Sequence, residues 1–305
     1  MELVGGGVMS KTLCVYHGNC QDGFGAAWAV RHALGAENVE FYPGVYQDPP
    51  PDVTGRDVIM VDFSYKRPVI EEMAKTANYI LILDHHASAR DDLIDYPRPA
   101  PWATWREAVS NGVFASKSIF NIAALFDMNR SGAGIAWDYF NYGQGRRPTL
   151  INVIEDRDLW RFAFESTREV SAALFSYVYD FDLWDGLMEE NSLGDLLVEG
   201  EAIERKHQQD IANLLPIVQR RMVIGGFNMP VANLPLTLTS DAGHKMASAE
   251  TGGVAACYWD TPQGRVFSLR SVDDGPDCKD IAVKYGGGGH PHAAGFRVDL
   301  GWEGD

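Results

Sequence analysis

Three apolar runs in the N-terminal third of the chain end in side chains able to bind metal ions. TLCVYH (Thr12–His17) closes on His17, with Cys20 and Asp22 in the loop beyond it. DVIMVDFSY (Asp57–Tyr65) carries Asp62, and YILILDHH (Tyr79–His86) closes on Asp84, His85 and His86. Mixed imidazole and carboxylate donors suit Mn2+, Mg2+ and related ions, whereas a thiolate prefers a softer one such as Zn2+. Each piece alone has an ordinary explanation. Asp62 can cap a helix, His17 can be a hydrogen-bonded core histidine, and His85 and His86, adjacent on a strand, point to opposite faces. Repetition at equivalent places argues against coincidence, because carboxylates converging at a buried sheet end are costly to desolvate without a cation. The chemistry on offer is that of metal-activated water.

Further candidates lie downstream. IEDRDLW offers Asp156 and Asp158. Asp156 is the preferred ligand because it sits where the apolar run NVIE ends; on an extended chain Asp158 falls on the same side. The plain alternative is a loop whose acids pair with Arg157 or Arg161. Gly286–Gly289 followed by His290 is no Walker A loop, since no Lys-Ser/Thr follows. Bare backbone N–H groups there allow an anion to approach closely, which makes Gly287, Gly288, Gly289 and His290 substrate-binding candidates, with His292 behind them. Arg270, at the end of VFSLRS, has the fork to clamp a phosphate. RSGAG (Arg130–Gly134) reads as an ordinary helix start with Ser131 as N-cap and is assigned no chemistry.

These residues need a frame. Strand-like runs alternate with helical stretches, GAAWAVRHAL after the first and VIEEMAKTA after the second, which is the pattern of βαβ units. The expected fold is therefore α/β, with an open, mostly parallel sheet, flanking helices, and ligands beyond the carboxyl ends of the strands. Pro-rich YPRPAPWATWREA interrupts the pattern, so Tyr96–Phe126 is expected to hold a loop or insertion. From Asp182 to Arg221 the sequence is amphipathic with few helix breakers and reads as a connector. Shorter strand-like runs after it (MVIGGF, VAACYW, RVFSLRS) indicate a smaller α/β C-terminal domain. The expected division is a flexible leader over 1–10, with Met9 as an alternative start, a metal-binding domain over 11–195, a helical connector over 196–220, and a second domain over 221–305.

The bulk numbers agree with such a plan. A chain of 305 residues with 46% hydrophobic and 22% charged residues is an ordinary globular sequence, long enough for two domains. No apolar run reaches the roughly 18 residues of a membrane span, and the first ten residues lack the basic start of a signal peptide. Four cysteines without a C-x-x-C pair suit the reduced cytoplasm. A net charge of −16 argues against coating long nucleic acid through a broad basic face. It permits a short anionic substrate at a site that metals and a few arginines make locally positive. No membrane partner is expected, and a homodimer is compatible with the size and acidity.

The segments YHGNCQDGFGAA, VDFSY, LDHHASA and IEDRDLW resemble successive motifs of the DHH phosphoesterase superfamily, and LRS with GGGGHPHAAGF resembles its DHHA1 domain. The resemblance runs from about residue 12 to 298, and its spacing is most similar to the nanoRNase, or oligoribonuclease-like, branch. It implies two divalent ions, Mn2+ first, with Mg2+ or Co2+ as substitutes. One would be held by His17, Cys20 and Asp62, the other by Asp22, Asp62, His85 and Asp156, with Asp62 bridging. Asp84 would orient a histidine, His86 would face the substrate phosphate, and the glycine loop with His290 would contact phosphate or ribose. One departure stands out: the family usually carries aspartate where this chain has Cys20, which puts the identity and occupancy of one ion in question. The implied activity is hydrolysis of phosphodiester bonds in short 5′-phosphorylated oligonucleotides. Alternatives are a 3′-phosphoadenosine 5′-phosphate phosphatase, a cyclic or linear dinucleotide phosphodiesterase and, outside enzymes, a nucleotide-binding sensor whose catalysis has decayed.

Overall fold

Apolar runs with no polar alternation must be covered on both faces, and this requirement organises the N-terminal half. The computed structural model describes residues 11–18, 20–101, 121–141 and 145–305. The expected leader over 1–10 and residues 102–120 of the expected insertion lie outside the described residues. The chain divides into a first unit, residues up to His85 with Ala89–Gly200, and a second, His86–Ser88 with Glu201–Asp305.

In the first unit, β1 (Thr12–His17), β2 (Val39–Gly44), β3 (Asp57–Val61), β4 (Tyr79–Asp84) and β5 (Ile122–Phe126) form one sheet in the order β2-β1-β3-β4-β5. Every pairing in it is parallel. Alternation along the strands sends Leu13, Val15, Val58, Met60, Ile80 and Ile82 into one core and Cys14, Ile59, Val61, Leu81 and Leu83 into another. The helices are α1 (Gln21–Leu34), α2 (Arg67–Ala74), α3 (Ala87–Leu93, in this unit from Ala89), α4 (Gly132–Phe140), α5 (Thr149–Asp158), α6 (Thr167–Leu174) and α7 (Phe181–Leu187), while α8 (Ser192–Val218) starts here and runs past Gly200 into the second unit. The strand order reverses between β1 and β3, because β1 is flanked by β2 on one side and β3 on the other. Connections leaving β1 and β3 therefore diverge, opening the crevice in which such sheets collect ligands. His17 ends one of these strands and Asp62 follows the other.

The second unit holds a mixed sheet in the order β10-β11-β9-β8-β7-β6. Its strands are β6 (Gln219–Ile224), β7 (Phe227–Asn233), β8 (Val254–Thr261), β9 (Gly264–Ser271), β10 (Gly288–His290) and β11 (Ala293–Val298). Only β7 and β8 pair in parallel, and α9 (Thr239–Ala249) makes the crossover between them. A tight turn joins β6 to β7 through Gly225 and Gly226, at φ 61° and 90°, the left-handed pair that such a hairpin requires. A short α10 (Cys278–Val283) precedes the glycine run.

The architecture is the expected one, an α/β parallel sheet with flanking helices and a smaller α/β unit. Details differ. β2 and β5 were not among the strands expected from sequence: VEFYPG contains a glutamate and a proline, tolerable because β2 lies at the sheet edge. The stretch expected as one connector from Asp182 to Arg221 is α7 followed by α8, and β6 takes over at Gln219. Among the described residues, no helix is long and apolar enough to cross a membrane.

Candidate metal centre

The β1–α1 turn is unusually tight. A Cβ on Gly23 would lie 2.2 Å from the His17 carbonyl oxygen, so only glycine lets α1 start this close to the strand end. Cys20 takes the N-cap place of α1 without making a side-chain capping bond, and Asp22 lies in the first turn. Asp62 leaves β3 in left-handed backbone, φ 54°, which aspartate tolerates better than most residues. Its N–H donates to the Leu83 carbonyl at 2.9 Å, tying it to the end of β4. Past β4, the His85 N–H donates to Asp84 Oδ1 at 2.7 Å, while Ser64 Oγ donates to Asp84 Oδ2 at 3.3 Å. Asp84 thus fixes the backbone of the histidine beside it.

These elements bring two donor groups together. His17, Cys20 and Asp62 present ligand atoms that all lie within 4.8 Å of one another, and so do Asp22, His85 and Asp158. Asp62 stands between them: Oδ2 is 3.4 Å from His17 Nδ1 and Oδ1 is 3.0 Å from His85 Nε2. His85 Nε2 is also 3.6 Å from Asp22 Oδ2 and 3.5 Å from Asp158 Oδ2. Asp22, Asp62 and His85 are almost wholly buried.

The start of α4 completes the centre. The N–H groups of Gly132 and Ala133 donate to the two oxygens of Asp22 at 2.6 and 3.0 Å, where the positive end of a helix favours an anion. Ser131 caps this helix through Gly134 N–H, and its own N–H donates to Glu155 Oε2 at 3.0 Å. RSGAG is assigned no chemistry from sequence, yet it supports a candidate ligand. Gly132 is what permits this approach, because a Cβ there would fall 2.3 Å from the Asp62 Cβ.

The charges in this cluster do not balance by themselves. Burial pushes the Asp22 carboxyl well above its usual range, and the neighbouring Asp62 and Asp158 carboxylates push it further, against the opposing pull of His85. Burial alone would depress both histidines. For His17, hydrogen bonding and charge from Asp62 and Cys20 outweigh it, and for His85 the Asp158, Asp62 and Asp22 carboxylates do; both rings stay well above the ordinary imidazole value. The Cys20 thiol is pushed up by burial, with His17 pulling the other way and Asp62 and Asp158 adding to the rise. Three carboxylates face two imidazoles at most singly charged, and Asp22, Asp62 and His85 among them are shut off from water. Oxygen, nitrogen and sulfur donors crowded in this way fit a divalent cation, and one bound there would displace their protons.

The acid in IEDRDLW is where the geometry departs from the expectation. The segment is not extended: it forms the end of α5, where residues two apart point to nearly opposite sides. Asp158 therefore joins Asp22 and His85, and Asp156 does not. The buried Asp156 carboxylate instead accepts the N–H groups of Ala163 and Phe164 at 2.9 and 3.2 Å and the Thr167 hydroxyl. Asp158→Ala is expected to weaken divalent-ion binding at least about tenfold with little change in unfolding midpoint. Asp156→Ala is expected to cost about 2–4 kcal/mol, since it strands buried donors, while ion affinity is kept. Calorimetric Mn2+ titration beside denaturant unfolding separates the two, and the reverse pattern would return Asp156 to the metal.

The remaining candidates lie in the second unit. His86 stacks on His290 with ring centroids 4.8 Å apart. The Arg270 guanidinium donates to Ser268 Oγ, the Leu269 carbonyl and Ser240 Oγ, at 2.9, 2.7 and 2.7 Å. His292 Nδ1 lies 3.1 Å from Ser271 Oγ. The glycine run is not a bare loop throughout: Gly288, Gly289 and His290 form β10, paired with β11. Its glycines have a packing reason as well, because a Cβ on Gly287 would meet the Gly295 carbonyl oxygen at 2.1 Å and Gly289 sits at φ 137°.

No protein-family profile matches the chain. An uncharacterised protein, R106, of Acanthamoeba polyphaga mimivirus is 28% identical over 305 residues, covering 92% of this chain and 66% of that one, so the chain spans just under two thirds of that relative. Among solved structures, RecJ in complex with Mn2+ from Thermus thermophilus aligns with a TM-score of 0.49 at 14% identity, over 95% of this chain and 50% of that one. The pGpG-specific phosphodiesterase PggH from Vibrio aligns with a TM-score of 0.37 at 15% identity, over 95% and 94% of the two chains.

Proposed function

We propose that this chain is a divalent-metal-dependent phosphoesterase of the DHH type that hydrolyses phosphodiester bonds in short 5′-phosphorylated oligonucleotides. The observation that carries this reading is the placing of Asp62, with one carboxylate oxygen toward the His17 group and the other toward the His85 group. A side chain with two equivalent anionic oxygens can serve two ions at once. His17, Cys20 and Asp62 would hold one ion, and Asp22, Asp62, His85 and Asp158 the other. Bound there, a divalent pair lowers the pKa of water and offsets charge on the phosphoryl oxygens. The chain's own part is to fix that geometry beforehand. α4 N–H groups hold Asp22, the link to Leu83 holds Asp62, and Asp84 holds the His85 backbone.

Cys20 is the weak point of the donor set for Mn2+. A thiol kept protonated by burial is a poor ligand for a hard ion. Cys20→Asp supplies a carboxylate and also a better N-cap for α1. It is expected to tighten Mn2+ binding at one of two sites by about tenfold, or ~1.4 kcal/mol, read by calorimetry. Unchanged or weaker binding would remove Cys20 from the ligand position.

The activity itself is tested by product analysis with Mn2+, offering a 5′-phosphorylated diribonucleotide, a longer single strand and 3′-phosphoadenosine 5′-phosphate side by side. Mononucleotide release that fades with length supports the proposal. Preference for the bisphosphate makes the protein a phosphatase, and binding without turnover under several metals makes it a nucleotide sensor.

A further inference from the structure

The four cysteines are not alike. Cys14, Cys257 and Cys278 are wholly buried within apolar clusters, where a thiol packs as a small hydrophobic group. Cys20 is half-buried and keeps different company. His17 is its hydrogen-bond partner, and its sulfur, a His17 ring nitrogen and an Asp62 carboxylate oxygen all lie within 4.8 Å of one another. His17 Nδ1 and Asp62 Oδ2 are 3.4 Å apart, about the separation of two donors on one tetrahedral ion. On local grounds the position suits cysteine poorly. It is the N-cap of a 14-residue helix, where Ser, Thr, Asp and Asn are preferred because their oxygens accept helix N–H groups, and the Cys20 side chain makes no capping bond. The thiol leaves the helix uncapped and stands among metal donors instead.

The two donor groups that share Asp62 therefore differ in kind. His17, Cys20 and Asp62 offer one nitrogen, one sulfur and one oxygen, whereas Asp22, Asp62 and Asp158 set three carboxylates around the single imidazole of His85. Sulfur and nitrogen donors suit Zn2+ and other thiophilic ions, and carboxylate-rich sets suit Mn2+ and Mg2+. A helix N-terminus and a neighbouring imidazole both favour a thiolate over a thiol. On taking up an ion, Cys20 gives its S–H proton to solvent and a sulfur–metal bond replaces the S–H bond. The side chain that serves Mn2+ badly is thus well matched to an ion that can displace this proton.

We propose that the centre holds two different metals: His17, Cys20 and Asp62 select a thiophilic divalent ion, Zn2+ first, while Asp22, Asp62, His85 and Asp158 take an oxygen-seeking ion, Mn2+ or Mg2+. Cys20 is the specificity-determining residue, and Asp62 joins the unlike pair. This inference rests on the two-ion reading of the site and deepens it by naming which ion belongs where. It does not depend on which phosphoester is cleaved.

The test is spectroscopic and needs no turnover. Co2+ is titrated into the chelator-stripped full chain in the presence of excess Mn2+. The intense near-ultraviolet absorption of thiolate bound to Co2+ is expected to be complete at one equivalent. One equivalent of Zn2+ should then abolish it and leave the bound Mn2+, counted by metal analysis after gel filtration, unchanged. In Cys20→Ser, which keeps the size and supplies a better N-cap, the band is expected to vanish. Zn2+ affinity, read by calorimetry, should weaken about tenfold or more, since even changes behind a ligand cost that much, while Mn2+ affinity is kept. Cys20→Asp serves the same comparison if the serine variant fails to fold. No band in the wild type, a band that survives in Cys20→Ser, or Zn2+ that expels Mn2+ and leaves the band in place overturns the proposal. The hydrolase reading outlives any of these results with Mn2+ at both places. Conversely, absence of turnover in the product analysis, with the band present, removes the hydrolase and keeps the mixed centre.

Discussion

Turnover is expected to fall by about 10³-fold or more when Asp62 becomes asparagine, with the protein still folded. Asn is the informative replacement because it tolerates the left-handed backbone at φ 54° as well as aspartate does. It keeps the volume of a side chain that is 1% exposed. What it lacks is the second anionic oxygen. With Oδ1 3.0 Å from His85 Nε2 and Oδ2 3.4 Å from His17 Nδ1, the native carboxylate faces both donor groups, and an amide can offer oxygen to one of them only. Charge stabilisation by a metal site is worth several kcal/mol, and each ~1.36 kcal/mol is tenfold in rate. Removing one of three crowded carboxylates lets the Asp22 carboxyl come down toward its usual range, while His17 and His85 lose a partner that holds them up, so the metal-free protein should change little in stability. Steady-state kcat with Mn2+ and a thermal melt with chelator check both halves. Activity within tenfold of wild type would remove Asp62 from the bridging role.

A single methyl group at position 132 is expected to be nearly as damaging. In Gly132→Ala the added Cβ would lie 2.3 Å from the Asp62 Cβ and 2.8 Å from its Cγ, so something must move. If α4 retreats, the N–H groups that hold Asp22 retreat with it; if Asp62 gives way, the link between the two donor groups is lost. Either displacement of about an ångström can cost on the order of 10²-fold in rate, and overpacking typically costs about 1–3 kcal/mol. Measured kcat and the denaturation midpoint test this, and a fully active Gly132→Ala protein would show that the α4 approach is not needed.

Much of this was legible because the strongest signals are local. β1 and β4 follow from unbroken apolar runs, and His17, Asp62 and His85 follow from their places at strand ends. β2 escaped notice because an edge strand need not be continuously apolar, and Glu40 and Pro43 mask it. Asp156 and Asp158 were interchangeable until the backbone was known, since a two-residue spacing means the same side on a strand and opposite sides on a helix. The role of Gly132 was out of reach for a different reason: it depends on contact with Asp62, far away in sequence, and no local pattern encodes that distance.

Gly23 seals β1 to α1 as closely as Gly132 seals α4 to β3: its Cβ would sit 2.2 Å from the His17 carbonyl oxygen and 2.7 Å from the His17 Cβ. In a saturation library selected for function, both positions should therefore empty as completely as His17 and Asp62, although neither carries a donor atom. Gly186 and Gly194, with nothing within 4 Å of an added Cβ, should fill freely. Intolerance in such a library would trace the seams where backbones meet around the centre as sharply as it traces the ligands.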